Sequence, residues 1–390
     1  LVVTGVDGVL RERPVQTIDW SIEAAEKGGF PHFMLKEIFE QPLALRSCVT
    51  GRLGRDGHVR LDEIAPLTDR LRSVARIELV ACGSAFYAAE VGAACLEAWT
   101  GLPARATVGS EFRYEPPPLD EHCLVIAVTQ SGETADTIAP TRYARNQGCP
   151  IVAVTNTVGS AITREADAVV FLQAGPEVAV AASKTFVTQV TALVMLAAAI
   201  GALRGTLPVE TEADLVRSLR ALPEAARRAL DNAAGAADLA ARYASAQGFM
   251  FVGRGFGYPA AMEGALKLKE VSYLHAEGYP AGELKHGPIS LLDAACPLVA
   301  VATRSPVYDK VVSNVMAGRA RDARVIAVAT EGDEGIERFV DDVCWVPAIH
   351  DALAPALAVI PLQLLAYYTA VARGTDVDQP RNLAKSVTVE

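Results

Sequence analysis

Leu124-Val-Ile-Ala-Val-Thr129-Gln-Ser131-Gly-Glu-Thr134-Ala-Asp-Thr137 reads as a buried strand running into a hydroxyl-rich turn and then a helix. Leu124 to Val128 are all apolar. Thr129, Gln130, Ser131 and Thr134 then crowd around Gly132. The carboxyl end of a strand is where an open α/β sheet binds ligands. Free backbone N–H groups at a helix start favour an anion, and hydroxyls add neutral donors. A phosphate is the natural guest. The turn carries no Lys, so it is not a Walker loop. One hydroxyl would cap a helix and one glycine would make the turn, so four polar side chains exceed the structural need. Glu133 would repel a phosphate and is expected to point away, toward the helix's positive end.

The same strand–turn–helix pattern recurs along the chain. Ile77 to Cys82 reads as a strand ending at Gly83-Ser84, followed by a helix over 85–100. Phe249 to Gly253 repeats it, with a helix over 259–272. After 124–128 come a helix (134–147) and a strand (151–155). After the strand 298–303 come a helix (307–319) and a strand (325–330). Long helices, near 184–203 and 355–373, close both halves. The chain therefore reads as α/β, two tandem copies of a doubly wound parallel-sheet domain. A charged, Ala-rich helical linker joins them from Pro208 to Ala246. Upstream, Val2 to Arg13 reads as a hairpin turning at Asp7-Gly8, and 32–50 as helical. The second copy has Ser305-Pro306-Val307-Tyr308 in place of the Ser-Gly-Glu-Thr loop. The first domain is thus expected to hold the anion, leaving the second free for another task.

Composition bounds the rest. The chain has 390 residues, 51% hydrophobic, enough for two domains with real cores. A net charge of −10 argues against a nucleic-acid partner. The seven cysteines form no CxxC pair and suggest reduced thiols in a cytoplasmic protein. The six histidines form no HxxxH or HxH pair, so no metal site is expected. The apolar run Val187 to Leu203, interrupted by Gln189 and Thr191, reads as a buried core helix, not a membrane span. The chain starts at Leu1 with no signal peptide and reads as a fragment of something longer.

A second constellation lies at 263–288. Glu263, Lys267 and Glu270 fall four and three apart, on one helical face. Such pairs are commonly solvated, but here Ala265, Leu266 and Leu268 already make the other face apolar. A carboxylate beside an ammonium keeps its charge and can serve as a base. His286 sits in a loop bounded by Gly287-Pro288, a place where a rigid scaffold presents functional side chains.

Four stretches carry a resemblance. They are Thr129 to Thr137, Glu263 to Glu270, His275 to Pro288, and the tail Asp376-Val-Asp-Gln-Pro-Arg-Asn-Leu-Ala-Lys385-Ser-Val-Thr-Val-Glu390. With the lead-in Val15 to Gly29, they are similar to the glucosamine-6-phosphate synthase (glutamine–fructose-6-phosphate aminotransferase) family. The resemblance implies two flavodoxin-like SIS domains, 31–207 and 247–374, joined by the linker 208–246. It makes 1–30 the remnant of a glutaminase domain and 375–390 a catalytic tail. It implies an isomerase without glutaminase activity, which opens fructose 6-phosphate, accepts ammonia and yields glucosamine 6-phosphate, with glucose 6-phosphate formed when ammonia is absent. No cofactor is implied.

The resemblance also implies roles. Ser131, Gln130, Thr134 and Thr129, joined by Ser84, would clamp the phosphate. Gly83, Gly132, Val180, Ala182, Ser183 and Ala384 would be further substrate contacts. Glu270 would move the proton between C1 and C2, with Lys267 holding the developing charge. Lys385 would form the Schiff base. His286 would open the ring from the neighbouring subunit of a homodimer. Arg381, Asn382 and Ala384 would help lay the tail over the site. Three departures from the family pattern stand out: Ser84-Ala85 for Thr-Ser, Thr129 for Ser, and Ala182-Ser183 for Ser-Thr. The second removes no hydroxyl. The third removes one at Ala182 unless Ser183 substitutes, worth about 1 kcal/mol of binding. Two other readings stay open: a stand-alone isomerase or deaminase on a related ketose phosphate, and a non-catalytic phosphosugar sensor.

Overall fold

The computed structural model describes residues 2, 4–10 and 26–389. The lead-in 11–25, which takes in the end of the expected hairpin, lies outside the described residues. Within them, Thr4 and Leu10 form an antiparallel bridge around Asp7-Gly8. Two helices, α1 (Phe33–Phe39) and α2 (Gln41–Val49), fill the segment expected to be helical, and α3 (Thr68–Ser73) leads into the first sheet.

In the first half, β1 (Arg76–Ala81), α4 (Ser84–Thr100), β2 (Ala104–Val108), α5 (Gly109–Tyr114) and β3 (Cys123–Thr129) follow in turn. Then come α6 (Ala135–Asn146), β4 (Ile151–Thr155), α7 (Ala161–Glu165), β5 (Ala168–Phe171) and the long α8 (Lys184–Arg204). Helices α9 (Val209–Asn232) and α10 (Ala236–Tyr243) form the linker. The second half runs β6 (Gly248–Gly253), α11 (Gly257–Ser272), β7 (His275–Pro280), β8 (Leu298–Ala302), α12 (Tyr308–Arg319), β9 (Val325–Thr330), β10 (Asp342–Val346) and α13 (Ala354–Ala372).

Both sheets are wholly parallel. The first has strand order β2-β1-β3-β4-β5, the second β10-β9-β8-β6-β7. Numbered within its own half, each sheet reads 2-1-3-4-5, so the repeat seen in the sequence is a repeat of topology. The central strands are mostly apolar because helices cover both faces; all seven residues of β3 are buried.

The long helices α8 and α13 are apolar enough to cross a membrane by length and composition, yet 83% and 89% of their apolar windows are buried. α8 packs on α4, and α13 on α11. Gly264 permits the second contact: a Cβ there would meet Leu362 Cδ1 at 2.6 Å. α9 buries Leu215, Leu219, Leu222, Ala226 and Ala229, a stripe at helical spacing, and contacts both α2 and α13.

In each sheet the strand order reverses between the first and third strands. In the first half this point lies at the carboxyl ends of β1 and β3, beside Ser84 and Ser131.

Candidate active site

The β3–α6 turn is built as a rigid cup. Gly132 adopts φ +68, and a Cβ there would meet Ser160 Oγ at 2.1 Å. Its N–H donates to Thr129 Oγ1 (3.3 Å), and the Glu133 N–H donates to Ser131 Oγ (3.2 Å). Thr155 and Thr157 hydroxyls both donate to the Gln130 carbonyl at 3.3 Å. Ser131 thus shapes the loop but does not cap α6, whose N-cap Thr134 makes no side-chain cap bond. Glu133 does point away, but not to its own helix: its carboxylate accepts the Ala161 N–H at the start of α7, 2.7 Å away. Gly132→Ala forces both the left-handed backbone and the Ser160 overlap. It is expected to lower stability by about 1–3 kcal/mol and to weaken anion binding. Thermal unfolding with and without a phosphosugar measures both.

From the second half, α11 projects Glu263, Lys267 and Glu270 toward the same cup. The Lys267 ammonium lies 2.5 Å from Glu270 and 3.5 Å from Glu263, and donates to Ser84 Oγ at 3.0 Å. Ser84 in turn donates to Glu263 at 3.0 Å. The Lys267 and Glu263 side chains are 1% and 0% exposed, so this is no solvated surface pair. Burial alone would push the Lys267 ammonium down, but Glu263 and Glu270 outweigh it and hold the group up. Burial raises the Glu263 carboxyl to about 7, against the pull of Lys267.

The tail closes the cup. Asp378 accepts the N–H groups of Phe33 and Met34 at 3.0 and 2.9 Å, and its own carbonyl accepts the Val180 N–H at 3.0 Å. Arg381 stacks over Tyr273, 4.3 Å from the ring centroid. The Lys385 ammonium donates to Glu177 and to the Ala179 carbonyl, both at 2.7 Å. Val387 accepts the Ala135 N–H at 3.1 Å. Burial would raise the Glu177 carboxyl. The Lys385 charge, with bonds from Lys385, the Ser183 N–H and the Thr185 hydroxyl, instead brings it down to about 2.

Together these elements wall a cavity of about 170 Å³. Ser84, Thr129, Gln130, Ser131 and Thr134 line it on the first-domain side, as do Val180 and Ala182; Lys267 and Glu270 face them, and Ala384 and Lys385 come from the tail. Gly83 and Gly132 shape the adjoining turns but are not part of the wall. Ser183 is fully buried with its hydroxyl unpaired and does not reach the cavity, so it does not replace the hydroxyl absent at Ala182. His286 lies elsewhere, exposed in the turn Ala281–His286. Glu177, Thr185 and Gln189 line the cavity but escaped the sequence reading. Of these, Glu177 was findable, since a tail lysine drawn into a buried site needs a counter-charge. Among the described residues, no three His, Cys, Asp or Glu side chains are gathered as a metal would require.

The SIS domain model matches residues 70–199 and 243–373, one match in each half. The chain belongs to the SIS domain family. Its relatives narrow the branch. The glutamine–fructose-6-phosphate aminotransferase (isomerizing) of Thermus thermophilus is 48% identical over 389 residues, all of this chain and 64% of that protein. That of Methanosarcina acetivorans is 46% identical over 98% of this chain and 62% of its own length. Among solved structures, the C-terminal domain of glucosamine-fructose-6-phosphate aminotransferase from Francisella tularensis superposes with a TM-score of 0.86. It is 36% identical, covering 91% of this chain and 99% of that one. Tagatose-6-phosphate ketose/aldose isomerase from Escherichia coli shares the fold at TM-score 0.72 and 19% identity. The chain spans under two-thirds of the length of these curated relatives, 64% and 62%.

Proposed function

We propose that this chain is the isomerase portion of a glutamine–fructose-6-phosphate aminotransferase, with domains 31–207 and 247–374 and the tail 375–390 closing the site. The observation that carries the reading is one cavity lined by a hydroxyl cup, a Lys–Glu pair and a tail lysine. The cup of Thr129, Gln130, Ser131 and Thr134, with Ser84, takes the phosphate of fructose 6-phosphate. The Lys385 amine attacks C2 of the open-chain ketose and water leaves, giving an imine. Ammonia displaces the lysine from C2. Glu270 then removes a proton from C1 and returns it to C2 while the C1 hydroxyl proton passes to the imine nitrogen, leaving an aldehyde at C1 and an amine at C2. Lys267, held beside Glu270, offsets the negative charge that develops between those steps. His286 does not line its own cavity and reaches that of a second copy in a homodimer, where it opens the ring. Ammonia comes from a glutamine-hydrolysing portion outside this sequence, and the seven unpaired cysteines suit a reducing cytoplasm. Ala182 at the cavity wall favours one second reading, a related ketose phosphate as substrate.

The test is turnover of fructose 6-phosphate with and without ammonium. Glucosamine 6-phosphate with ammonium, and glucose 6-phosphate without it, are expected. Phosphosugar binding with neither product would overturn the reading.

A further inference from the structure

Glu37, on α1, is 2% exposed and touches neither the cup nor the cavity wall. Its Oε1 accepts the N–H groups of Val178 (2.5 Å) and Ala179 (3.2 Å). Those two peptide groups lie between the two atoms that grip Lys385, the Glu177 carboxylate and the Ala179 carbonyl. The same helix takes tail residue Asp378 on its first N–H groups. One short helix therefore holds both the tail and the segment that grips the tail's lysine. The second oxygen of Glu37, Oε2, is buried with no partner.

We propose that Glu37 is a positioning residue for Lys385: by accepting the Val178 and Ala179 N–H groups it fixes the Glu177–Ala179 grip, and it sets a second carboxyl behind that grip. The charged groups around it are Glu177, Lys184 and Lys385, with Lys36 on its own helix and Glu40 just past that helix's end. Lys184 is itself paired with Glu40 at 2.7 Å. From α13, also packed on α1, Tyr367 bonds His32 at 2.8 Å. Burial, followed by the Glu177 charge, raises the Glu37 carboxyl to about 8. A carboxyl raised this far gains its negative charge as the solution turns mildly alkaline, and that charge falls near the Lys385 ammonium. An inert acceptor would do none of this.

Only the consequence for turnover rests on the function proposed above. The test reads Lys385 directly: brief reductive methylation with formaldehyde and cyanoborohydride from pH 6.5 to 10. The tail peptide is quantified by mass spectrometry against exposed Lys310. Glu37→Gln keeps the acceptor and cannot ionise. Above pH 8, Lys385 in the unaltered protein is expected to label at least threefold more slowly than in Glu37→Gln, the two profiles converging below pH 7. Turnover of fructose 6-phosphate by Glu37→Gln is expected to persist to higher pH. Superimposed labelling profiles would overturn the proposal, because a purely structural acceptor leaves them so. A protein that labels as expected yet turns over no fructose 6-phosphate would retain this proposal and sink the functional one.

Discussion

Lys385→Arg is expected to reduce glucosamine 6-phosphate formation by about 10³-fold or more, because guanidinium cannot form the imine that carries the sugar. Arginine is the sharper choice than alanine for a physical reason. The Glu177 side chain is fully buried, and Lys385 is its principal counter-charge. Lys385→Ala would leave that carboxylate unpaired, at a cost of about 3–5 kcal/mol, or force its protonation. The sign of the linkage follows from the lowered value: the Glu177 contribution is present above about 4.5 and lost as pH falls toward 2. In Lys385→Ala stability near neutral pH should therefore fall while its further loss between about 4.5 and 2 shrinks or reverses, whereas Lys385→Arg keeps the charge and the limb. Thermal midpoints between pH 3 and 7 distinguish the two. Phosphosugar binding should survive in Lys385→Arg, since the cup of Ser131 and Thr134 is untouched. Turnover within tenfold of the unaltered protein would remove Lys385 from the reaction.

Most of the architecture was legible because parallel strands buried on both faces announce themselves as unbroken apolar runs. Leu124 to Val128 and Ile151 to Thr155 needed no partner to be recognised. The order of strands was not written in those runs; it comes from crossovers, and only the repeat of turn and helix hinted that both halves share it. The α11 triad was legible for a different reason. Helical spacing alone puts Glu263, Lys267 and Glu270 on one face, though not that the face is buried against Ser84 from the other half. What stayed hidden were residues whose role depends on the tail folding back. Glu177 sits in an unremarkable Gly-Pro-Glu loop, and Glu37 looks like any helix carboxylate, until residues 376–387 lie across them. Glu133 shows the limit in the other direction. Repulsion from an anion placed it outside the cup, but only the fold could supply the α7 N-terminus it bonds.

Glu270→Gln separates chemistry from binding at the other end of the cavity. Amide nitrogen cannot take the C1 proton, so turnover is expected to fall by about 10²–10⁴-fold. The fold should tolerate the change. Glu263 is held at about 7 by burial first, and the repulsion of Glu270 adds to that rise. Removing one negative charge lets Glu263 ionise more readily, so Lys267 keeps a counter-charge and remains bonded to Ser84. Imine formation at Lys385 precedes proton transfer, so borohydride should still trap fructose 6-phosphate on the tail. Two readouts then diverge: trapping at Lys385 stays near the unaltered level, while exchange of the C1 hydrogen with deuterated solvent disappears. A structural collapse would lower both together. Exchange that continues in Glu270→Gln would move the base elsewhere, with Glu177, the other carboxylate on the cavity wall, next in line and the histidine of a second copy after it.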